Sequence, residues 1–457
     1  MQLQLSKDKR FLNIIKYDSI DELDQIQYSF TKKVKNYRFL SSVKNGQWDG
    51  SVSFFDENKN RIPSGLWKYA YQILTKYGYS CKLYGVKQLF NMSIDFEDFK
   101  EFALETMKDH EISPRDYQIE AAYNILKYRR CGSLMSTSSG KTLMTFLTIA
   151  YGLTKSLMKN ILMIVPNVSL VVQGANDFYD YNYRAGIPIK IQQVFHGKER
   201  TLGENITIGT YQSLVKFDKE YFQKFDTMII DEFHKGSSVS IKKIMSKCHH
   251  CNYKFGMSGT LPKENTADYL TIIANTGPIV NSIDANSLIE EGFITPVKIS
   301  VLKLDYLDKS TKEDFYKLSK RMDAAKLFQT EKKLVATNEK RLAFVTNLIS
   351  KVTKNTLVLF HLIEHGEKLY KTLKKTKGKK VYYVDGRTKV DDRELYKKYM
   401  EQDKKKVFYT FETDQGSIQL EENKKVLLSN GTHKKAKNII GGDDIDNEFL
   451  QKYIKSF

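Results

Sequence analysis

The rhythm of apolar and polar positions changes along the chain. In residues 1–95 it is mixed. "DELDQIQYSFTKKV" carries apolar residues at helical spacing, "GSVSFF" reads as a strand, and "SGLWKYAYQILTKYG" reads as an amphipathic helix ending at Gly78. "NGQWDG" between them is turn chemistry. Together they predict a small α+β domain. Residues 96–112 are acidic and polar and predict a helical linker. From Ser113 short apolar runs ("ILMIVP", "ITIGTY", "TMIIDE", "KFGMSGT") alternate with helical stretches. That spacing predicts βαβ units, hence a parallel sheet with helices on both faces, over 113–285. Over 286–408 a charged helical stretch (303–350) leads into "TLVLFHL", an amphipathic helix through Leu373, and "KVYYVDG", which predict a second α/β lobe. Residues 409–457 predict a β-rich tail with turns at Asp414–Gly416 and Asn430–Gly431.

Composition narrows the function classes. The 457 residues exceed one ordinary core, and 41% hydrophobic content is enough to bury several. A formal charge of +19 points to a polyanionic partner, nucleic acid ahead of a membrane surface. No apolar run approaches the roughly 18–20 residues that span a bilayer, and "MQLQLSKDKRF" has no apolar core long enough for a signal peptide, so a cytoplasmic protein is expected; a monomer is expected as well. Four cysteines make no disulfide scaffold, and the single C-x-x-C of "KCHHCN" has no second pair with which to close a zinc site. Gln2 to Asp95 holds 15 Lys/Arg against 9 Asp/Glu. Lys32, Lys33, Lys35, Arg38 and Lys44 lie in an acid-free stretch interleaved with Tyr37, Phe39 and Trp48. This is either a nucleic-acid surface or a solvated basic face over core aromatics.

Two motifs carry candidate chemistry. In "MSTSSGKT" (135–142) Gly140 lets backbone N–H groups turn toward phosphate, Lys141 has the reach for β and γ phosphates, and Thr142 offers a hydroxyl to Mg²⁺ at a helix N-terminus. Met135 and Ser138 depart from the usual loop. "TMIIDEFH" (227–234) is an apolar strand ending in two acids, where α/β folds gather ligands. Asp231 suits Mg²⁺, and Glu232 suits the orientation of an attacking water.

With these in place the order of motifs resembles superfamily-two helicases. Gln118 in "RDYQIEA", with Arg115 and Tyr117, resembles the adenine-reading motif; "STSSGKT" resembles motif I, "IVPNVSLVVQ" motif Ia, "GTYQSL" the next DNA-contacting motif, "DEFH" motif II and "MSGT" motif III. The basic N-terminal module and "QWDGSVSFF" are most similar to the phage UvsW type of DNA helicase. The resemblance implies RecA-like P-loop lobes that use ATP and Mg²⁺ on branched or double-stranded DNA and RNA–DNA hybrids, in the cytoplasm of an infected host. It implies that Arg115, Tyr117, Gln118, Ser136, Thr137, Ser138, Ser139, Gly140, Lys141 and Thr142 bind the nucleotide. It further implies that Thr142 and Asp231 serve the metal and Glu232 the water. His234, Ser258, Gly259 and Thr260 would couple nucleotide state to movement. Pro166, Thr210 and Gln212 would lie along the nucleic-acid backbone.

The chain departs from that pattern at its end. After Lys406 no Q-x-x-G-R-x-x-R motif supplies the usual second-lobe arginine, and Arg387 of "DGRT" is a poor substitute. The tail resembles an internal block of protein-splicing (intein-type) domains at Asn423, Val426, Gly431 and 441–445, without the block that holds the starting Cys, so self-splicing is not expected. An incomplete second lobe implies ATP binding with reduced hydrolysis.

Overall fold

The computed structural model describes the chain except residues 196–204, 297–298, 306, 377–379, 403–407, 414–415, 422–424, 428–432 and 436–457. It divides into two compact units, 1–298 and 299–457.

The first unit opens with the α+β domain. β1 (Gln2–Leu5) and β2 (Phe11–Lys16) pair antiparallel, and a helix spans Ile20–Phe30. A short hairpin of β3 (Thr31–Lys33) and β4 (Ser51–Ser53) follows. β5 (Arg61–Pro63), the helix Trp67–Lys76 and β6 (Lys82–Tyr84) complete a four-stranded sheet in the order β5-β2-β1-β6. Alternation puts Leu3, Leu5 and Leu12 inward, against Ile26, Phe30, Ala70 and Leu74 of the two helices. Leu270 and Ile273, more than 170 residues downstream, belong to this same core. At Gly65 an added Cβ would come within 2.3 Å of the Ile273 carbonyl, so only glycine permits the close approach.

Residues 96–112, expected as a helical linker, begin with a helix that docks on the main domain. The helix Phe96–Thr106, capped by Asp95, buries Phe99 and Ala103 in the main core. Tyr151 donates a 2.6 Å hydrogen bond to Asp98. The acids that suggested a linker lie on the outer face, while one apolar stripe suffices to dock the helix.

The main domain holds β7 (Arg130–Met135), β8 (Ile161–Val165), β9 (Ile191–Val194), β10 (Ile206–Thr210), β11 (Thr227–Asp231), β12 (Tyr253–Ser258) and β13 (Ile279–Ile283). They form one parallel sheet in the order β13-β7-β12-β11-β8-β10-β9. β8 and β10 are buried along their whole length, as expected when helices cover both faces. This is the α/β, RecA-like arrangement that the βαβ rhythm predicts.

The second unit contains helices at Lys309–Ser319, Ala324–Thr337, Glu339–Lys351, Ile363–Leu373 and Val390–Gln402. "TLVLFHL" and "KVYYVDG" predict strands, but no ladder forms there among the described residues. The rings of Phe360 and Tyr383 stack at 5.6 Å, so the two segments lie side by side. Leu357 and Leu359 are each 84% exposed. A parallel strand needs burial on both faces, which these side chains lack. Two antiparallel hairpins follow, β14 (Phe408–Thr413) with β15 (Gly416–Glu421), and β16 (Lys425–Leu427) with β17 (His433–Lys435). Of the positions likened to a splicing domain, Asn423, Gly431 and 441–445 lie outside the described residues.

Candidate nucleotide site and nucleic-acid edge

The phosphate-loop, motif Ia, "GTYQSL", "DEFH" and "MSGT" segments emerge at the C-terminal ends of strands, whereas Arg115–Gln118 opens the helix Asp116–Tyr128 ahead of β7. The loop 136–140 follows β7, Asp231 ends β11 and Ser258 ends β12. β12 lies between β7 and β11, so the sheet order makes these three ends neighbours. Motifs more than a hundred residues apart in sequence thereby meet at one end of the sheet.

The phosphate loop is shaped by two left-handed residues, Ser138 (φ 67) and Gly140 (φ 79). Gly140 caps the helix Lys141–Thr154, whose first N–H groups are free of intrahelical partners. A side chain at 140 would be excluded twice, by its φ and by Gln118, whose Nε2 would lie 2.0 Å from the added Cβ. Gln118 Nε2 and Tyr117 Oη both donate to the Ser139 carbonyl, at 2.8 and 2.9 Å. Gln118 Oε1 accepts from the Arg115 N–H at 2.9 Å, and Arg115 Nη1 donates to Tyr117 Oη at 2.8 Å. Arg115, Tyr117 and Gln118 thus support the loop from behind. Thr142 is the second residue of the helix, and Thr137 and Ser138 are exposed at the loop tip.

The acids face this loop. Burial raises the Asp231 carboxyl to about 6, with Glu232 adding to the rise and the Lys141 ammonium pulling the other way. Lys141 and Asp231 are therefore close enough to interact, and Lys141 Nζ otherwise donates to the Met135 carbonyl at 3.3 Å. Glu232 adopts a left-handed φ of 55, uncommon outside glycine. That twist directs its carboxylate to Ser258 Oγ, which donates to Oε2 at 3.1 Å, and to His234 Nδ1 at 3.0 Å. His234 Nδ1 also meets Ser258 Oγ at 2.8 Å, and the Thr260 N–H donates to the same hydroxyl at 3.3 Å. A Cβ on Gly259 would lie 3.6 Å from the Thr137 N, so this network touches the phosphate loop. Phe233 anchors it from below. Its ring lies against Gly132 of β7 and Gly256 of β12, where a Cβ would approach within 2.8 and 2.5 Å.

The residues fit a Mg²⁺-nucleotide. Ser136 Oγ and Ser139 Oγ are buried without a hydrogen-bond partner among the described residues, inside a loop built of N–H donors. A lysine, a hydroxyl at the helix start and an oxygen donor whose charge tunes near neutrality complete the set.

The nucleic-acid candidates fall in two places. Pro166 and Thr210 follow and end the adjacent strands β8 and β10, and Gln212 Nε2 donates to the Pro166 carbonyl at 3.4 Å. Thr210 Oγ1 bonds Ser213 Oγ at 3.1 Å. The basic stretch surrounds the β3–β4 hairpin. Lys33 and Arg38 flank the Tyr37 ring at 5.4 and 5.7 Å, and Tyr37 is seated on Gly50. The acid-free run is not acid-free in space, because Lys33 bridges Asp49 at 2.8 Å. Lys32 is half-buried, and burial lowers its pKa; Lys35 and Arg38 are exposed.

Phe293 is a neighbour that the motifs do not identify. Its ring lies 4.2 Å from the Arg115 guanidinium. Its signal in sequence, an aromatic after Gly292 far downstream, gains meaning only from the fold. In the second unit Arg387 is bound to Asp385 at 2.5 Å and Glu367 at 2.8 Å. Cys248 and Cys251 are buried, and no group of three or more His, Cys, Asp or Glu suited to a metal occurs among the described residues.

Comparison with known proteins gives a consistent set of matches. The model of the type III restriction enzyme res subunit matches residues 111–263. The chain is 30% identical over 384 residues to the ATP-dependent DNA helicase uvsW of Enterobacteria phage T4, spanning 82% of this chain and 74% of that protein. It is 29% identical over 170 residues to the DNA 3'-5' translocase XPB2 of Sulfurisphaera tokodaii, over 37% and 35% of the two chains. A crystal structure of the UvsW helicase from bacteriophage T4 superposes with a TM-score of 0.52 at 26% identity, covering 61% of this chain and 99% of that one. A second T4 UvsW structure covers 88% and 78%, with a TM-score of 0.53 at 24% identity.

Proposed function

The chain belongs to the UvsW family of ATP-dependent DNA helicases, and from that premise we propose that it hydrolyses ATP to translocate on branched DNA, including forks and RNA–DNA hybrids. The observation that carries the proposal is the interaction of Lys141, at the start of the helix after β7, with Asp231, at the end of β11. Thr142 and Asp231 would hold a Mg²⁺ ion, whose contribution would be to neutralise phosphate charge. The chain's own groups do the rest. Ser136, Thr137, Ser138, Ser139 and Gly140 hold the phosphates, with Lys141 as counter-charge. Glu232 positions the hydrolytic water, its carboxylate fixed by Ser258 and His234. Because His234, Ser258 and Thr260 share one hydroxyl, a change at Glu232 reaches motif III directly. Pro166, Thr210 and Gln212, with Lys32, Lys33, Lys35 and Arg38, are assigned to the DNA backbone, which implies little sequence preference.

Lys141→Ala tests this reading. Expected is loss of DNA-stimulated ATP hydrolysis and of branched-DNA remodelling while DNA binding persists. Remodelling that survives the substitution would remove the enzyme reading. A second reading, an ATP- and DNA-binding or annealing protein with little hydrolysis, is favoured by Arg387 being held by Asp385 and Glu367. Tight ATP binding with near-absent turnover on saturating branched DNA would select it.

A further inference from the structure

The fold places an aromatic side chain over the guanidinium beside the phosphate loop. Phe293 follows Gly292, whose φ is +76, and is 43% exposed, so it belongs to no core and is held on one side only. Its ring lies 4.2 Å from the Arg115 guanidinium and 6.2 Å from the Tyr117 ring. From there Arg115 bonds Tyr117 Oη, and Tyr117 Oη bonds the Ser139 carbonyl, immediately before Gly140 and Lys141. Phe293 is thus linked to the phosphate loop by consecutive contacts.

A planar guanidinium face stacks on a nucleobase as readily as on a phenyl ring. Gln118, beside it, uses one amide hydrogen on Ser139 O and one lone pair on the Arg115 N–H. One donor and one acceptor remain on that amide. These complement the N7 acceptor and N6 donor edge of adenine. At 4.2 Å, however, nothing fits between Arg115 and Phe293. We propose that Phe293 is a movable cover over the base subsite: the purine inserts, Arg115 stacks on one face and Phe293 closes on the other. The proposal rests on the nucleotide reading of the phosphate loop, and it adds a base-contacting residue that the helicase motifs do not include.

The test compares ATP with inorganic tripolyphosphate, which presents the phosphates without a base, on the full chain. Phe293→Leu is expected to weaken ATP binding about tenfold, the size of one lost stacking contact, and to leave tripolyphosphate affinity unchanged. Phe293→Trp is expected to keep ATP affinity within about twofold, since an indole stacks as well. Its fluorescence should change on adding ATP and not on adding tripolyphosphate. If Phe293→Leu weakens both ligands equally, or neither, the base-cover role is wrong. If the unaltered chain binds neither ligand, the nucleotide reading itself fails, a result distinguishable from the first.

Discussion

At the scale of single residues, Asp231 has the most measurable character. Its carboxyl is raised to about 6, above the ordinary carboxylate range, first by burial and then by Glu232. The folded protein therefore holds a proton there that the unfolded chain releases near pH 4. By linkage its contribution favours folding at low pH and is lost as pH rises from about 4 to about 6. Mg²⁺ held at Asp231, as proposed, would act with the opposite sign, because it needs the carboxylate. Mg²⁺-dependent ATP affinity is expected to fall as pH drops through about 6, measured by titration calorimetry, and Asp231→Asn should reduce that pH dependence to the part set by protonation of the terminal phosphate itself. Glu232→Gln should keep ATP binding and lower hydrolysis by at least about a hundredfold, the range of a lost general base. Weakened ATP binding in that variant would contradict the water-positioning role. The roles proposed for Asp231, Glu232, Lys141 and Thr142 start from sequence, because the chemistry invoked is local to two short motifs. Phe293 is not legible there, because its significance depends on Arg115, far back along the chain, and the Lys33–Asp49 pair is set by the pairing of β3 with β4.

At the scale of elements, the crossing of β7, β12 and β11 decides where motif II points. Phe233 fits its ring against Gly132 and Gly256, one on each of two paired strands. Gly256→Ala would place a methyl 2.5 Å from that ring. The ring must then shift and carry Glu232 and His234 with it. A loss of about 1–3 kcal/mol in stability, the usual cost of overpacking, is expected in denaturant titration. ATP hydrolysis should fall further than stability alone explains, because the Glu232–Ser258 bond is displaced. Full activity in a folded Gly256→Ala variant would separate Phe233 from catalysis. The hydrophobic periodicity of 113–285 is strong enough to reveal the strands themselves. The same kind of apolar run at 356–362 forms no ladder among the described residues, and Leu357 and Leu359 are exposed there.

For the molecule as a whole, the basic N-terminal domain and the main domain share a core through Leu270 and Ile273. Arg130 adds a 2.9 Å hydrogen bond to the Lys9 carbonyl. Deleting residues 1–95 would expose that core, so point substitutions are the cleaner probe of DNA contact. Lys35→Gln with Arg38→Gln should reduce the slope of log affinity against log salt by about two units on duplex DNA, if each contacts one phosphate. An unchanged slope would mean that these side chains do not reach the backbone. The net charge of +19 pointed to a polyanion from composition alone, but which bases are free was decided by folding. Lys33 is occupied by Asp49 and Lys32 is half-buried, whereas Lys35 and Arg38 are exposed.

The linear order of residues determined the alternating βα architecture, the phosphate loop, the paired acids and the helicase family, because each is encoded in short-range spacing and side-chain chemistry. Tertiary structure alone decided that β12 brings motif III between the loop and the acids, that the helix 96–106 docks on the core through Phe99 and Ala103, and that Phe293 covers Arg115. Strand order and packing come from long-range burial, in which many sequence separations satisfy the same local pattern, so no local pattern specifies them.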